Sequence, residues 1–586
     1  MLHSVVAPHA ATTTGGFLLV LAIVVPVAGI LLAFIVGGRY IARIAFAIIL
    51  LGLAIAVAVL VALRQSDGPL VYLLGAWPPP LGVALRADGL SAVMMMATAV
   101  VICAVSVFAS VDFRSAGGES RAPFAFWVLL LAIWGALNTV FLGGDLFTLY
   151  VALELVTFAA VPLVSLDGRA ETLQAALRYL VFALLGSIFY LLGAALLYGR
   201  YGTLDIVLLS HRVGAEPATL VAAALMTSGL LAKTALFPLH LWLPPAHAGA
   251  PAAASAILSG LVVKGSFFIV VRLWFQVMPG LPGFAAAQLL AALGAAAIVF
   301  GSIVALRQER LKLLIAYSTL AQIGYLFLMF PLAYDVSGRL ENGGALAGGL
   351  LQAVSHATAK AAMFMAAGSI YATLGQDRIA ALGGVGQVLP ISVLTFAVGG
   401  VALMGVQPSG AYLAKELLLQ AAAAKGQWWW AVVLQAGGIF TGAYVVLVLA
   451  HALAPATQPI ASCNSAPRIR EVATLMLALC SLLLGLVHWQ PYLSILPGVS
   501  SDMFDLKALS KSLVPVLGGA LVAVLLGRWE GAWKARMVMV GSVRRAGLAF
   551  GHLIEGCDNV LCQWPAAGIS LLTLAALFAA SMLVVL

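Results

Sequence analysis

Six ionisable side chains lie inside apolar segments of this 586-residue chain, where charge is otherwise rare. A charged group at the centre of a lipid-embedded helix costs about 2.5–3.5 kcal/mol on insertion scales. Only 9% of the residues are charged, so six such positions indicate a path for protons or other ions through an apolar interior. The six residues are Glu154, Lys233, Lys264, His356, Lys360 and Lys415.

Lys233 and Lys264 occupy neighbouring apolar segments that are separated by a break rich in proline and glycine. Lys233 lies too far inside its segment for its ammonium group to reach the lipid headgroups easily. Snorkelling is a stronger alternative for Lys264, because Arg272 marks the membrane boundary about two turns later. The break contains Pro238, Pro244, Pro245, Gly249 and Pro251.

Glu154 is a carboxylate in the middle of an earlier apolar segment. Its charge becomes tolerable in lipid if a cation such as Lys233 lies beside it. We therefore predict a Glu154–Lys233 pair that takes part in ion movement. The alternative is a purely structural ion pair.

His356 and Lys360 are four residues apart in a later apolar segment, which puts them on one helical face about one turn apart. A neutral imidazole both donates and accepts hydrogen bonds, and a buried lysine can release its proton. The pair is a candidate proton relay, although a lone buried histidine is more often a satisfied core residue.

Lys415 follows an interruption formed by Gly405, Pro408 and Gly410. The earlier interrupted segment has the opposite order, since its break follows Lys233. Two interrupted helices of opposite order predict inverted repeats with ion sites at the broken helices. A surface loop around Lys415 is the alternative.

Another apolar segment carries three hydroxyl groups and an amide in a short run. Hydrogen-bonding side chains in such a helix can hold a water wire or bond to neighbouring helices, and the sequence leaves both alternatives open. The residues are Tyr317, Ser318, Thr319 and Gln322.

The composition indicates the class of protein. Hydrophobic residues make up 63% of the chain, and apolar runs follow one another with short connections. Because only helices satisfy their own backbone in lipid, we predict an all-α polytopic membrane protein with about 14–16 transmembrane helices.

The five cysteines show no metal-ligand spacing, and the chain has no flavin, iron–sulfur or nucleotide motif. We therefore expect no cofactor, no bound metal and no catalytic site, and the net charge of +9, spread over loops, does not indicate nucleic acid.

Four regions follow from the order of the segments. Residues 1–120 hold N-terminal transmembrane helices, and 121–280 hold the first repeat with Glu154, Lys233 and Lys264. Residues 281–455 hold the second repeat with His356, Lys360 and Lys415. Residues 456–586 hold C-terminal helices and a basic segment whose Trp529 and Trp533 have helical spacing. That segment is typical of an amphipathic helix on the membrane surface, with a basic cytoplasmic linker as the alternative.

Lysine and arginine are about twice as frequent in the connections after odd-numbered apolar segments as in those after even-numbered ones. Cytoplasmic connections usually carry an excess of lysine and arginine, which places the odd-numbered connections in the cytoplasm. We therefore predict that both termini are outside. We expect the plasma (inner) membrane of a prokaryote.

Several motifs resemble those of the antiporter-like membrane subunits of respiratory complex I, membrane-bound hydrogenases and Mrp-type cation/proton antiporters. GGDLFTLYV, YGTLDI and Lys264 look closest to the D-type subunit of Mrp antiporters, whereas the C-terminal segments look like longer complex I and hydrogenase subunits. The chain departs from the family at Pro245, where aspartate is usual, and at Gln407, where a second proline is usual. The matching segments are GGDLFTLYVALELV, LLAKTALFPLHLWLPPAHAGAP, LSGLVVKGSFFIVVRLW, IAYSTLAQIGYLFL, SHATAKAAMFMAAGSI and GVQPSGAYLAKELLL.

The resemblance implies a proton-translocating subunit that works with other membrane subunits in a complex. Protons are the expected ion and sodium a second one, and any NADH–quinone oxidoreductase chemistry would lie in other chains. It further implies that Glu154 and Lys233 gate the proton, that Lys264, His356 and Lys360 relay it, and that Lys415 is the terminal site. A proton-conducting partner of an inorganic-carbon uptake complex is the alternative function.

Overall fold

The computed structural model describes residues 11–113, 121–334, 342–456, 467–493, 506–525 and 541–584, and these ranges are almost entirely helical. The first part contains α1 (Phe17–Val36), α2 (Ile41–Gln65), α3 (Gly89–Asp112), α4 (Arg121–Leu142), α5 (Leu146–Val164), α6 (Ala170–Tyr201) and α7 (Ile206–Ser210). The central part contains α8 (Pro217–Thr234), α9 (Leu243–Gly249), α10 (Ala252–Ile257), α11 (Val263–Arg272), α12 (Gly283–Arg307), α13 (Leu311–Phe327), α14 (Met329–Ala333) and α15 (Gly343–Leu374). The last part contains α16 (Val385–Val388), α17 (Pro390–Met404), α18 (Gly410–Ala424), α19 (Trp428–Leu453), α20 (Arg468–Leu483), α21 (Leu506–Leu525), α22 (Gly541–Leu561) and α23 (Trp564–Leu583).

Twelve helical stretches within the described ranges are long and apolar enough to cross a membrane. Two shorter apolar helices, α17 and the Ser510–Leu525 part of α21, add to these. The predicted all-α polytopic membrane fold is therefore confirmed. A single antiparallel hairpin lies between α2 and α3, where β1 (Leu70–Leu73) pairs with β2 (Ala84–Ala87) and Leu70 is opposite Ala87.

Two stretches form the centre of the bundle. The first joins α10 to α11 through a π-helical segment, Leu258–Val262, and its most apolar window is completely buried. The second is α15, which packs against α3, α10, α13, α17, α18 and α20. Small residues permit this close packing, since a Cβ added at Gly348 would lie only 2.9 Å from the Ala414 carbonyl oxygen of α18. Polar side chains on these stretches are therefore held away from lipid.

Both breaks that proline and glycine predicted are present, and they have the same local form. Helix α8 ends at Ala235 and α17 at Gly405, each with a left-handed backbone, φ 58° and φ 79°. A cis peptide bond precedes Pro238 in the first break and Pro408 in the second. The relation of the two halves as inverted repeats stays a prediction.

Helix α22 covers part of the predicted surface segment and packs against α12 and α23. One face carries Glu555, which accepts hydrogen bonds from Arg307 of α12, one of them at 2.5 Å. Leu553 and Val560 are exposed on this helix, and its location on the membrane surface stays a prediction. Trp529 and Trp533 lie outside the described residues.

Candidate functional site

Lys233 lies beside Glu154 in a buried pair. The Lys233 Nζ donates to Glu154 Oε1 at 2.9 Å and to Thr157 Oγ1 at 3.0 Å. The Ser187 hydroxyl donates to the same carboxylate oxygen. The side chains of Lys233 and Glu154 are only 6% and 12% exposed. Within the described residues, Glu154 Oε2 is buried without a hydrogen-bond partner, so one face of the carboxylate is available to water or a proton.

Close packing of α6 and α8 positions this pair. A Cβ added at Gly229 of α8 would lie 2.2 Å from the carbonyl oxygen of Gly186 on α6. The backbones therefore touch at this level, next to Ser187 and one turn before Lys233. Helix α8 ends immediately afterwards, so Lys233 lies in its last turn, at the break.

A hydroxyl contact leads from the first pair to the second lysine. Thr234, next to Lys233, donates through Oγ1 to Ser266 Oγ of α11 at 2.9 Å. Ser266 is two residues after Lys264. This hydrogen bond therefore connects α8 and α11 next to the two lysines.

Lys264 contacts His356 at the centre of the bundle. The Lys264 Nζ lies 2.5 Å from His356 Nδ1 and also donates to the Ser259 carbonyl oxygen. That carbonyl belongs to the π-helical segment, a local widening of the helix that often occurs at functional sites. His356 is completely buried, and its Nε2 has no partner in the part of the chain that the structure describes. This contact between α11 and α15 brings the two predicted halves together.

Lys360 lies one turn after His356 and points to α13. Its Nζ donates to Ser318 Oγ and to the Ile315 carbonyl oxygen, the latter at 3.4 Å. The ammonium group also lies 5.9 Å from the centroid of the Tyr444 ring. Its charge is therefore held by dipoles and an aromatic face.

Amide groups continue the polar row beyond Lys360. Gln322, one turn after Ser318, accepts from Gln352 Nε2 at 2.9 Å and donates to Thr441 Oγ1 at 3.2 Å. Thr319 on the same helix shares a 2.9 Å contact with Ser259. The polar run on α13 therefore makes interhelical hydrogen bonds.

Lys415 lies at the far end of this row, against the second break. Gln352, Tyr325 and Lys415 line one small pocket together with Gly405. The Lys415 Nζ lies against Gly438 of α19, where an added Cβ would be 2.6 Å from it, so a larger residue at this position would displace the ammonium group. The structure thus places Lys415 on α18 beside the break and not in a surface loop.

Two buried histidines were not among the site residues that the sequence predicted. His240 and His247 lie in the proline-interrupted stretch PLHLWLPPAH after Lys233, and both are fully buried. Neither ring nitrogen of His247 has a partner within the described ranges, and its ring stacks on Phe364 at 4.7 Å. The sequence could have identified them, because two titratable rings in an interrupted helix are unusual in a membrane protein. The interpretation of this stretch rested on the neighbouring lysines, Lys233 and Lys264, instead.

A cavity of about 530 Å³ is lined by Pro245 and Ala248, which lie close to His247 in the chain. Its lining comes from the connections after the odd-numbered apolar segments and from the start of α13. These are the connections in which the sequence shows an excess of basic residues. Lys312 in its wall donates to the Ala250 carbonyl oxygen at 2.9 Å. Burial raises the pKa of Asp167 in the same wall, but hydrogen bonds from Thr172 and Arg169 outweigh burial and hold it below its usual range. The charged lining residues are Asp112, Asp167, Arg169, Glu171, Arg310, Lys312 and Arg470.

The comparisons with known proteins agree with this architecture. The chain is 32% identical over 411 residues to the N-type subunit of NADH-quinone oxidoreductase from Desulforudis audaxviator, covering 68% of this chain and 80% of that one. It is 30% identical over 379 residues to the D-type subunit of the Na⁺/H⁺ antiporter from Alkalihalophilus pseudofirmus, covering 64% and 74%. A chain in the Mrp complex from Dietzia sp. DQ12-45-1b has the same fold, with a TM-score of 0.73 at 22% identity, covering 85% of this chain and 99% of that chain.

A sequence profile of one family, described as NADH:quinone oxidoreductase/Mrp antiporter, transmembrane region, matches residues 143–441. That range includes all six ionisable residues of the apolar segments. The chain therefore belongs to the NADH:quinone oxidoreductase/Mrp antiporter family of integral, multi-pass membrane proteins.

Proposed function

We propose that this chain moves protons across the membrane as one subunit of a multisubunit complex. The observation that carries the proposal is the row of buried polar groups through the bundle. It runs from the Glu154–Lys233 pair through the 2.5 Å contact between Lys264 and His356 to Lys415. In a chain with so little charge, a row of buried ionisable groups with hydroxyl and amide groups between them is best explained by proton transfer.

The Glu154–Lys233 pair acts as the gate. While the two groups touch, the carboxylate stabilises the ammonium and Lys233 keeps its proton. When they separate, the ammonium is left in an apolar surrounding without a counter-charge, and transfer of its proton to a neighbouring group becomes favourable. The Thr157 and Ser187 hydroxyls, which bond to the pair, hold it in its closed geometry.

Lys264, His356 and Lys360 form the relay. In the observed contact the His356 Nδ1 can accept the proton that the Lys264 Nζ donates. The imidazole then carries protons on both nitrogens and can release one from Nε2, which has no protein partner among the described residues. Lys360, one turn along the same helix, is the next acceptor when it is neutral. Each step moves one proton between named atoms. Lys264 is restored when it takes up the next proton, and His356 is restored when its remaining proton passes from Nδ1 back to Nε2.

Access from the basic face is through the cavity of about 530 Å³. The buried ring of His247 stacks on Phe364, one turn beyond Lys360, and therefore faces the relay. Lys415 at the second break is the terminal site, because it shares a small pocket with Gln352 and lies farthest along the row from the Glu154–Lys233 pair.

The membrane arrangement follows the distribution of basic residues. We propose that the connections around the larger cavity are cytoplasmic, that both termini are outside, and that the membrane is a prokaryotic plasma membrane. Residues 121–280 and 281–455 would then be two inverted repeats that contribute the two halves of the row. The relatives are named as subunits, so we expect other membrane subunits as partners, either of an Mrp-type antiporter or of a redox-driven pump.

Reconstitution of the purified complex in proteoliposomes with an internal pH dye tests the proposal. Proton movement that depends on a sodium gradient indicates an antiporter, and movement that depends on quinone reduction indicates a pump. Lys360→Ala should abolish either activity, whereas Lys511→Ala, a change at an exposed lysine, should leave it unchanged. Wild-type proton movement in the Lys360→Ala complex would overturn the proposed relay.

A further inference from the structure

Three side chains with metal-binding atoms meet outside the proton row. His240 follows the first break, and Asp558 and Cys562 lie one turn apart at the C-terminal end of α22. One ligand atom of each lies within 4.8 Å of the others. His240 and Asp558 are 318 positions apart in the chain, so no sequence spacing could indicate this cluster.

The separations within the cluster are close to those of a tetrahedral site. His240 Nε2 lies 2.9 Å from Asp558 Oδ1, and Cys562 Sγ lies 3.8 Å from the same oxygen. Zinc bond lengths of about 2.0–2.3 Å and tetrahedral angles place neighbouring ligand atoms about 3.3–3.6 Å apart. The two separations from Asp558 Oδ1 therefore differ from tetrahedral spacing by about half an ångström or less, and the third, between His240 and Cys562, is at most 4.8 Å.

The surroundings hold the ligands in place. Tyr317 of α13 donates to Asp558 Oδ2 at 2.5 Å, which fixes the carboxylate while Oδ1 faces His240 and Cys562. The rings of Phe237 and Phe300 lie 5.7 and 5.4 Å from the His240 ring. Hydrogen-bonded ligands inside an apolar shell are the usual environment of a protein metal ion.

We propose that His240, Asp558 and Cys562 form a binding site for a borderline-soft divalent transition-metal ion, with zinc as the expected ion. An imidazole, a carboxylate and a thiolate are all ligands that zinc accepts, and three protein ligands leave its fourth position to water. The two anionic ligands balance the charge of the ion, as a buried site requires. On binding, the Cys562 thiol loses its proton to solvent, and no oxidant or reductant is needed.

An ion at this site would join two parts of the chain that the His240–Asp558 contact already brings together. It would tie the end of α22 to the segment between α8 and α9, which leads directly from Lys233. Metal occupancy would thereby restrain the first break. The proposal concerns metal binding alone and does not depend on proton transport.

Cobalt(II) titration of the full-length chain tests the proposal. The chain is purified in detergent with a tag that contains no histidine, treated with a chelator and a reductant, and titrated with Co²⁺ alone. Tetrahedral cobalt with a cysteine ligand gives a thiolate charge-transfer absorption and intense visible bands. We expect saturation at one ion per chain, and displacement of the cobalt by an equimolar amount of zinc.

Variants assign the absorption to the cluster. Cys562→Ser should remove the charge-transfer band, whereas Cys557→Ser, a change at an exposed cysteine of the same helix, should keep it. Tyr317→Phe, which removes only the hydrogen bond to Asp558, should weaken metal affinity by about 10–100-fold. Elution as a monodisperse peak in size-exclusion chromatography shows that each variant is folded. A folded wild-type chain without the band, or a band that persists in Cys562→Ser, would overturn the site.

Discussion

Replacing Glu154 by glutamine keeps the size of the side chain and removes the charge that Lys233 faces. At the observed separation of 2.9 Å, an effective dielectric constant of about 20 gives an attraction of about 6 kcal/mol between the two charges. A lone charge in the membrane interior costs about 2.5–3.5 kcal/mol. Because the attraction exceeds that cost, Glu154 compensates for the buried charge of Lys233, and in the Glu154→Gln protein no carboxylate controls when Lys233 holds or releases its proton. Proton transport in the assembled complex should fall more than about tenfold, since 1.4 kcal/mol already corresponds to that factor.

A double variant separates a functional pair from a structural one. Lys233→Met alone leaves the buried carboxylate without a counter-charge and should destabilise the chain by about 3–5 kcal/mol. Combining Glu154→Gln with Lys233→Met removes both charges, so thermal stability in detergent should recover. Transport should not recover, because the proton-carrying group is still absent.

Asp67→Asn, a change at an exposed carboxylate, is the control for the assay and should transport like the wild type. Transport is measured with a pH-sensitive dye in proteoliposomes at matched protein content. A wild-type rate in Glu154→Gln, or in the double variant, would show that the pair is structural and that the gate lies elsewhere.

Three further predictions concern other parts of the chain. Lys415→Arg should insert normally but transport slowly, because arginine does not release its proton in proteins. Glu416→Ala should change transport much less, because the Glu416 carboxylate accepts a hydrogen bond from Gln420 at 3.1 Å near the surface. A larger loss of transport in Glu416→Ala than in Lys415→Arg, measured in inverted vesicles, would contradict the choice of Lys415 as the terminal site. A C-terminal reporter that is active only in the cytoplasm should be inactive, and an active reporter would reverse the predicted orientation. Burial raises the pKa of Asp88, but the neighbouring Arg272 outweighs burial and holds that pKa below its usual range. The pair therefore contributes its full stabilisation at any pH above the pKa that Asp88 has in the unfolded chain. This stabilisation is lost as the pH falls through the lower pKa that Asp88 has in the folded chain. Asp88→Asn should lower the free energy of unfolding by about 3–5 kcal/mol at neutral pH. An unchanged melting temperature would contradict this prediction.

Properties that depend on a short stretch of chain were predictable from the sequence. The cost of a charge in an apolar segment is local, so the six ionisable residues could be identified one by one. The breaks were equally local, because proline and glycine interrupt a helix wherever they occur. The all-α membrane fold followed from the backbone's need for internal hydrogen bonds in lipid.

Contacts between distant segments were not predictable in the same way. The sequence pairs His356 with Lys360 on one helix, whereas the structure gives His356 a direct contact with Lys264, which lies 92 positions away. The position of the Lys415 ammonium against Gly438 likewise involves a neighbouring helix. The resemblance to a known family supplied the order of the row, and the sequence singled out Ser318 and Gln322. The other connecting groups, Thr234, Ser266 and Gln352, became visible only in three dimensions.

Proton flux through proteoliposomes that hold the assembled complex measures most directly whether the contact between Lys264 and His356 carries protons. Lys264→Met and His356→Leu preserve buried volume and remove the exchangeable protons, so each should lower the flux more than about tenfold. Lys511→Ala, at an exposed lysine, should match the wild type in the same preparation. Wild-type flux in both Lys264→Met and His356→Leu would contradict a proton path through the centre of the bundle.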